Sequence, residues 1–245
     1  MRRVALPLLL TLFTTLTAAR AGAVQLQAPD GLTLYAEHVS PTRPLGAVLL
    51  LHDAGRNLHE FDGVTGRLAR EGYASLALDA RFGGEYDGYS NRTAAGLGSR
   101  ILTEADALRD LDVALAWLRR AHPGVPLFAL GSGAGGVLLF PFAARHPDLA
   151  GILAFSPYRG DLFETDARAA ARQLRVPVFV TSSDDPFEIG AARELARAAR
   201  GVQYVPPGFG LRGAVTLDPV KTTEAAVSEG YWRAVLRFLR QPGAR

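Results

Sequence analysis

The chain predicts an α/β fold: a mostly parallel, doubly wound sheet of about eight strands, with helices on both faces and an antiparallel hairpin at its N-terminal edge. Three observations predict it. Short, near-continuous apolar runs recur along the chain, amphipathic helical stretches separate them, and a glycine-dense turn joins one run directly to the next helix. Strands covered on both faces read as continuous apolar runs rather than alternating ones. Strict alternation of strand and helix implies right-handed crossovers, with loops gathered at the strands' C-terminal ends.

Val24 to Gln27 and Leu32 to Val39 alternate apolar and polar around Pro29-Asp30-Gly31, the pattern of an edge hairpin. The core strands follow at Leu45 to Leu51, Tyr73 to Leu78, Val125 to Leu130, Ala150 to Phe155 and Val176 to Thr181. Helical periodicity covers Phe61 to Arg70, Glu104 to Ala121, Val137 to Arg145, Phe187 to Arg200 and Glu224 to Arg240. In the longest internal helix Leu108, Leu111, Leu115 and Leu118 share one face, and Thr103 with Asp106 forms a capping pair at its start. Asp79 to Arg100, rich in Gly, Arg and Tyr, is the longest irregular piece, read equally well as a surface excursion or as a functional loop.

The N-terminus carries Arg2 and Arg3, an apolar run from Val4 to Leu16, and small residues ending in Ala19-Arg20-Ala21 or Ala21-Gly22-Ala23. That is the pattern of a secretory signal spanning residues 1–21, with cleavage after 21 or 23, followed by one domain over 24–245. Export to a periplasm or beyond the cell is therefore expected, with no stable membrane anchor after cleavage, since the apolar run is shorter than a spanning helix. The formal charge of +3 resides in Arg2, Arg3 and Arg20 within that leader, so the remainder is neutral and no nucleic-acid partner is expected. With 0 cysteines the exported domain has no disulfides or thiolate metal sites and must stand on its core.

Chemistry concentrates at Phe128-Ala129-Leu130-Gly131-Ser132-Gly133-Ala134-Gly135-Gly136. In a G-x-S-x-G elbow the third residue is the nucleophile, lifted above the sheet by a strained turn. Gly131 and Gly135 occupy the flanks here and Gly133 the nucleophile slot. The elbow's usual order is nucleophile, acid, histidine. The five histidines, His38, His52, His59, His122 and His146, all precede any acid that could follow this turn. Ser132, one position early, is an outside candidate for a displaced nucleophile, while Ser156, Ser182 and Ser183 sit at strand ends without a histidine partner in sequence. Gly131, Gly133 and Gly136 also spell G-x-G-x-x-G, a dinucleotide fingerprint, but no acidic residue ends the following strand.

From about Leu26 to the C-terminus the chain resembles the α/β-hydrolase fold family, nearest its dienelactone-hydrolase-like branch. The marks are Leu49-Leu50-Leu51-His52-Asp53-Ala54-Gly55, Asp79-Ala80-Arg81-Phe82-Gly83-Gly84 and the Gly131 to Gly136 elbow. The resemblance implies an oxyanion hole from the backbone amides of Ala54, or a neighbour, and Ala134, with His52 and Asp53 beside it either catalytic or merely structural. It implies an acid at Asp184 or Asp185, and it aligns the family's histidine with Arg212, or with Phe209 in an earlier frame. Guanidinium stays protonated and cannot act as a base.

The expected function is thus that of a hydrolase-fold protein without triad chemistry, retaining a small anion or carboxylate pocket near Arg212. Arg212 would otherwise pair with Asp184 or Asp185 in the space of the missing histidine. The alternative is an active ester, lactone or acyl hydrolase with an atypical nucleophile. A small-molecule ligand is expected, without a cofactor or metal, and the oligomeric state is left open.

Overall fold

The computed structural model describes residues 19–157, 162–163 and 166–241. Most of the expected signal, residues 1–18, lies outside them. β1 (Arg20–Gln27) and β2 (Thr33–Ser40) form the N-terminal hairpin, in register from Arg20↔Ser40 to Gln27↔Thr33. Its first strand starts four residues before the expected Val24. Arg20 to Ala23 are exposed, so backbone pairing to β2 extends the strand where no apolar pattern marks it.

The chain continues through β3 (Gly46–Leu51), a 3-10 turn at Leu58–Phe61, α1 (Asp62–Arg70) and β4 (Tyr73–Leu78). Next come the two-residue strands β5 (Glu85–Tyr86) and β6 (Tyr89–Ser90), then α2 (Arg92–Ala95) and α3 (Glu104–Ala121). β7 (Leu127–Ser132), α4 (Gly133–Arg145), β8 (Gly151–Phe155), α5 (Ala167–Gln173) and β9 (Val178–Thr181) follow. The described chain closes with α6 (Pro186–Ala198), β10 (Val202–Tyr204), a 3-10 turn at Ala214–Leu217 and α7 (Ala225–Leu239). The order in the 8-stranded sheet is β1-β2-β4-β3-β7-β8-β9-β10, antiparallel at β1-β2 and β2-β4 and parallel elsewhere.

Strand parity divides the core. Ala47, Leu49 and Leu51 of β3 face one cluster with Leu111, Leu115 and Leu118 of α3 and Leu138 of α4. Val48 and Leu50 face the other, with Val64 and Leu68 of α1 and Trp232 and Val235 of α7. Two apolar layers against one sheet explain why β3, β4, β7, β8 and β9 are buried along their whole length. The cap of α3 is as the sequence suggests, the Asp106 amide donating to Thr103 Oγ1 at 3.1 Å.

Five elements were not legible. β5, β6 and α2 are short pieces inside Asp79 to Arg100, the stretch expected to be irregular. α5 is mostly Ala and Arg with only Ala171 buried, so no apolar stripe announces it; the Asp166 carboxylate caps it by accepting from the Ala169 amide at 2.9 Å. β10 is three residues at the sheet edge, held by pairing to β9. Among the described residues no helix is long and apolar enough to cross a membrane.

Candidate active site

β7 delivers the elbow to the C-terminal end of the sheet. Ser132 is still extended (φ −107°, ψ 135°), whereas Gly133 turns to φ 50° and begins α4. The helix thus starts four residues before the expected Val137, because the glycines admit it close to the strand. A Cβ on Gly131 would lie 2.6 Å from the Gly135 carbonyl, and one on Gly135 would lie 2.5 Å from His52 O. These contacts are between backbone and backbone, so neither position has room for a side chain.

Gly133 differs, because a side chain does meet it. A Cβ there would overlap the Asp53 carboxylate, which projects from the loop after β3 into the volume of the nucleophile slot. Asp53 Oδ1 accepts the amide of Ala54 at 2.8 Å and the amide of Ala134 at 2.8 Å. These are the two donors that the resemblance implies for an oxyanion hole. They converge on one oxygen, and that oxygen belongs to the protein itself. Charge-assisted hydrogen bonds of this kind contribute about 1.5–3 kcal/mol each, and the N-terminus of α4 adds attraction for a negative charge.

Arg212 closes the other side. Its Nε lies 3.6 Å from Asp53 Oδ2 and its Nη1 donates to Glu188 Oε1 at 2.9 Å. Among the described residues the ion pairs of Arg212 therefore run to Asp53 and Glu188, not to Asp184 or Asp185 as the sequence suggests. The expected acids are engaged elsewhere. Asp185 caps α6, its Oδ1 accepting from the amides of Phe187 and Glu188 at 2.8 and 3.1 Å. Asp184 Oδ1 accepts the Gly210 amide at 3.4 Å. Phe209, the earlier-frame alternative to Arg212, is about half exposed.

His52 is buried with both ring nitrogens engaged by the surrounding loops. Its Nδ1 donates to Asp53 O at 2.7 Å and its Nε2 accepts the Ala80 amide at 2.9 Å, which fixes one neutral tautomer. Complete burial pushes its pKa down to about 4. Asn91 Nδ2 also approaches His52 Nε2, at 3.2 Å, and donates to Ala80 O at 2.9 Å. The irregular stretch Asp79 to Arg100 is thereby stitched onto the loop carrying Asp53. Asp79 adds to this, its carboxylate accepting the amides of Leu58 at 2.9 Å and Arg92 at 3.0 Å.

Ser132 is fully buried and points away from the elbow's apex. Its Oγ donates to Glu60 Oε1 at 2.6 Å and accepts the Ala214 amide at 2.9 Å. Gly213, at φ 77°, sits so close that a Cβ there would overlap Ser132 Oγ. Glu60 is itself buried, accepting the Asp53 amide at 2.8 Å and Arg56 Nη1 at 3.2 Å, and burial pushes its carboxyl up from the usual range. Ser156 Oγ accepts the Gly213 amide at 2.9 Å, Ser182 Oγ donates to Ser183 O at 2.9 Å, and Ser183 Oγ donates to Glu188 Oε2 at 2.8 Å. Among the described residues, no histidine hydrogen-bonds a serine hydroxyl, and no group of three or more metal-ligating side chains forms.

Sequence reasoning missed Glu60 and Glu188. Nothing in local pattern marks a carboxylate that reaches a serine 72 residues away. A signal for Asp53 did exist, since an empty slot at 133 requires a filler and Asp53 follows the strand beside β7.

The family model described as serine aminopeptidase, S33, matches residues 42–182, more than half of the chain. The chain belongs to this α/β-hydrolase family. No curated protein matches the sequence. Among solved structures, this family member is similar to one described as a dienelactone hydrolase from Klebsiella pneumoniae, with TM-score 0.68 and 22% identity over 91% of this chain and 100% of that one. It is also similar to the Pyrococcus furiosus esterase Pf2001, with TM-score 0.67 and 16% identity over 90% and 92% of the two chains. A third is Est1E from Butyrivibrio proteoclasticus, with TM-score 0.64 and 13% identity over 87% and 99%. At these identities the likeness is one of fold.

Proposed function

We propose that this family member does not hydrolyse esters or peptides through a serine triad, and that its oxyanion cradle is permanently filled by Asp53. The observation that carries this reading is the position of Asp53 Oδ1, 2.8 Å from both the Ala54 and Ala134 amides and overlapping the place of any side chain at 133. Removing one member of a catalytic triad leaves only about 10³ to 10⁴-fold over water. Here the nucleophile position is glycine and the histidine position is arginine. Ser132 offers no replacement: its proton goes to Glu60 and its lone pair is taken by the Ala214 amide, out of solvent.

The anion pocket expected around Arg212 takes a more definite form. An external carboxylate that is to reach the two amides has to displace the Asp53 carboxylate, because both already serve it and Arg212 stands beside it. The same charge works against the dinucleotide alternative, since a pyrophosphate at the start of α4 would meet Asp53. The protein acts after export in this reading, with residues 1–21 removed.

The test is a fluorophosphonate probe together with p-nitrophenyl esters. The wild type should neither label nor turn over. Restoring the slot takes three changes, Asp53→Gly, Gly133→Ser and Arg212→His, since the serine alone would collide with Asp53. Labelling confined to the triple variant supports the proposal, and stoichiometric labelling of the wild type overturns it.

A further inference from the structure

At the opposite end of the sheet from the elbow, His38 of β2 meets His122, the residue that ends α3. Their Nε2 atoms are 2.9 Å apart. The pair lines a cavity of about 470 Å³ whose wall also includes Arg20, Ser40, Thr42 and Pro123. None of these residues takes part in the site around Asp53.

We propose that His38 and His122 form a binding site for a divalent, imidazole-seeking transition-metal cation, Cu(II) foremost, with water from the cavity completing the coordination. The nitrogen spacing suits two ligands on one ion once each ring tilts off the near head-on axis on which the ring centroids stand 5.1 Å apart. Metal–imidazole bonds of about 2.0–2.1 Å meeting at angles of about 90–110° separate the nitrogens by about 2.9–3.4 Å. Without a metal, one ring must donate Nε2–H to the lone pair of the other. Metal binding replaces that shared proton, which moves to Nδ1 of the same ring, so the exchange releases no proton from the neutral pair.

Two features favour a cation at this point. His122 lies at the C-terminal end of the 18-residue α3, where the helix dipole is negative, and its own amide donates to Leu118 O at 3.0 Å. The two ligands are carried by a strand and a helix end, so little ordering is left to the ion. Arg20, the cationic residue on the cavity wall, is exposed and screened by salt, and it leaves with the leader when cleavage follows residue 21. Among divalent ions Cu(II) binds nitrogen sites most tightly.

The site has a built-in reporter. Trp117, one of two tryptophans, stands edge-on to His38 with ring centroids 5.0 Å apart, while Trp232 is buried in the core on the other face of the sheet. Titrating the full chain with CuCl2 should quench tryptophan emission saturably at one ion per chain, and Trp117→Phe should remove that response. His38→Gln and His122→Gln should each weaken binding at least tenfold, whereas the double variant His59→Gln with His146→Gln should titrate like the wild type. Unchanged quenching in either single variant overturns the proposal. Electron paramagnetic resonance of the copper-loaded wild type gives an answer independent of variant folding: two imidazole nitrogens support the site, and fewer overturn it.

Discussion

The carboxylate of Asp53 occupies the volume that a side chain at Gly133 would need. One residue's absence of a Cβ and the other's position are therefore a single feature, built across the β3 and β7 loops. Glycine also relaxes the turn, since φ 50° costs a non-glycine residue on the order of 1–3 kcal/mol.

Coupling between these residues is measurable. Gly133→Ser alone should destabilise the fold by more than about 2 kcal/mol, through backbone strain plus collision with Asp53. Asp53→Gly should lose the bonds to Ala54 and Ala134, and in its presence Gly133→Ser should cost at least about 1 kcal/mol less. Urea unfolding of the four proteins closes the cycle; strictly additive effects would show that the two side-chain volumes do not compete.

His52 makes stability depend on pH. Its folded pKa of about 4 lies below the unfolded value near 6.5, so the unfolded chain binds the extra proton in that window. The contribution is full above about pH 6.5 and is lost as pH falls towards 4, on the order of 3 kcal/mol in all. Glu60 acts in the opposite sense: its raised pKa gives stability that is present at low pH and lost as pH rises through the folded value. Unfolding free energies at pH 7, 6, 5 and 4 should fall less steeply in His52→Gln than in wild type. Equal slopes would remove His52 from the account.

Arg81 is the most enclosed cation among the described ion pairs. Its Nε and Nη2 donate to Asp110 at 2.6 Å each and its Nη1 to Asp30 at 3.0 Å, and both Arg81 and Asp110 side chains are 2% exposed. Asp110→Ala should cost about 3–5 kcal/mol, because it leaves the buried Nε and Nη2 of Arg81 without their acceptor and Asp30 as the remaining carboxylate, whereas Arg81→Met with Asp110→Leu should cost less. A double variant weaker than the single one would contradict this.

Ser132→Ala separates structure from chemistry at the elbow. It removes the partner of Glu60 and of the Ala214 amide in a dry site, so a loss of about 1–3 kcal/mol is expected in thermal unfolding. Reactivity towards a fluorophosphonate should be absent both before and after the change.

The strands were legible because burial on both faces writes itself into the sequence as unbroken apolar runs, as in Tyr73–Leu78, whose bounds match the structure. The tight turn at Gly133 was legible for a similar reason, a spacing rule around a single strand-to-helix junction. Partner choice was not. Arg212 had four carboxylates within plausible reach of its loop, and only the packing of α6 and of the β3 loop selects Glu188 and Asp53 over Asp184 and Asp185. Glu60 was invisible because burying a carboxylate looks unfavourable in sequence until its three donors, Ser132, Asp53 and Arg56, are placed around it.

Gly133 and Asp53 also constrain how this lineage can change. A codon change at 133 that would supply a hydroxyl meets steric penalty first, for as long as position 53 keeps its acid. Position 53 in turn cannot lose that acid without leaving two main-chain donors bare at a helix start. The pair behaves as an interlock: in the reading proposed above, a serine at 133 can be acquired only through a less stable single variant at one position or the other.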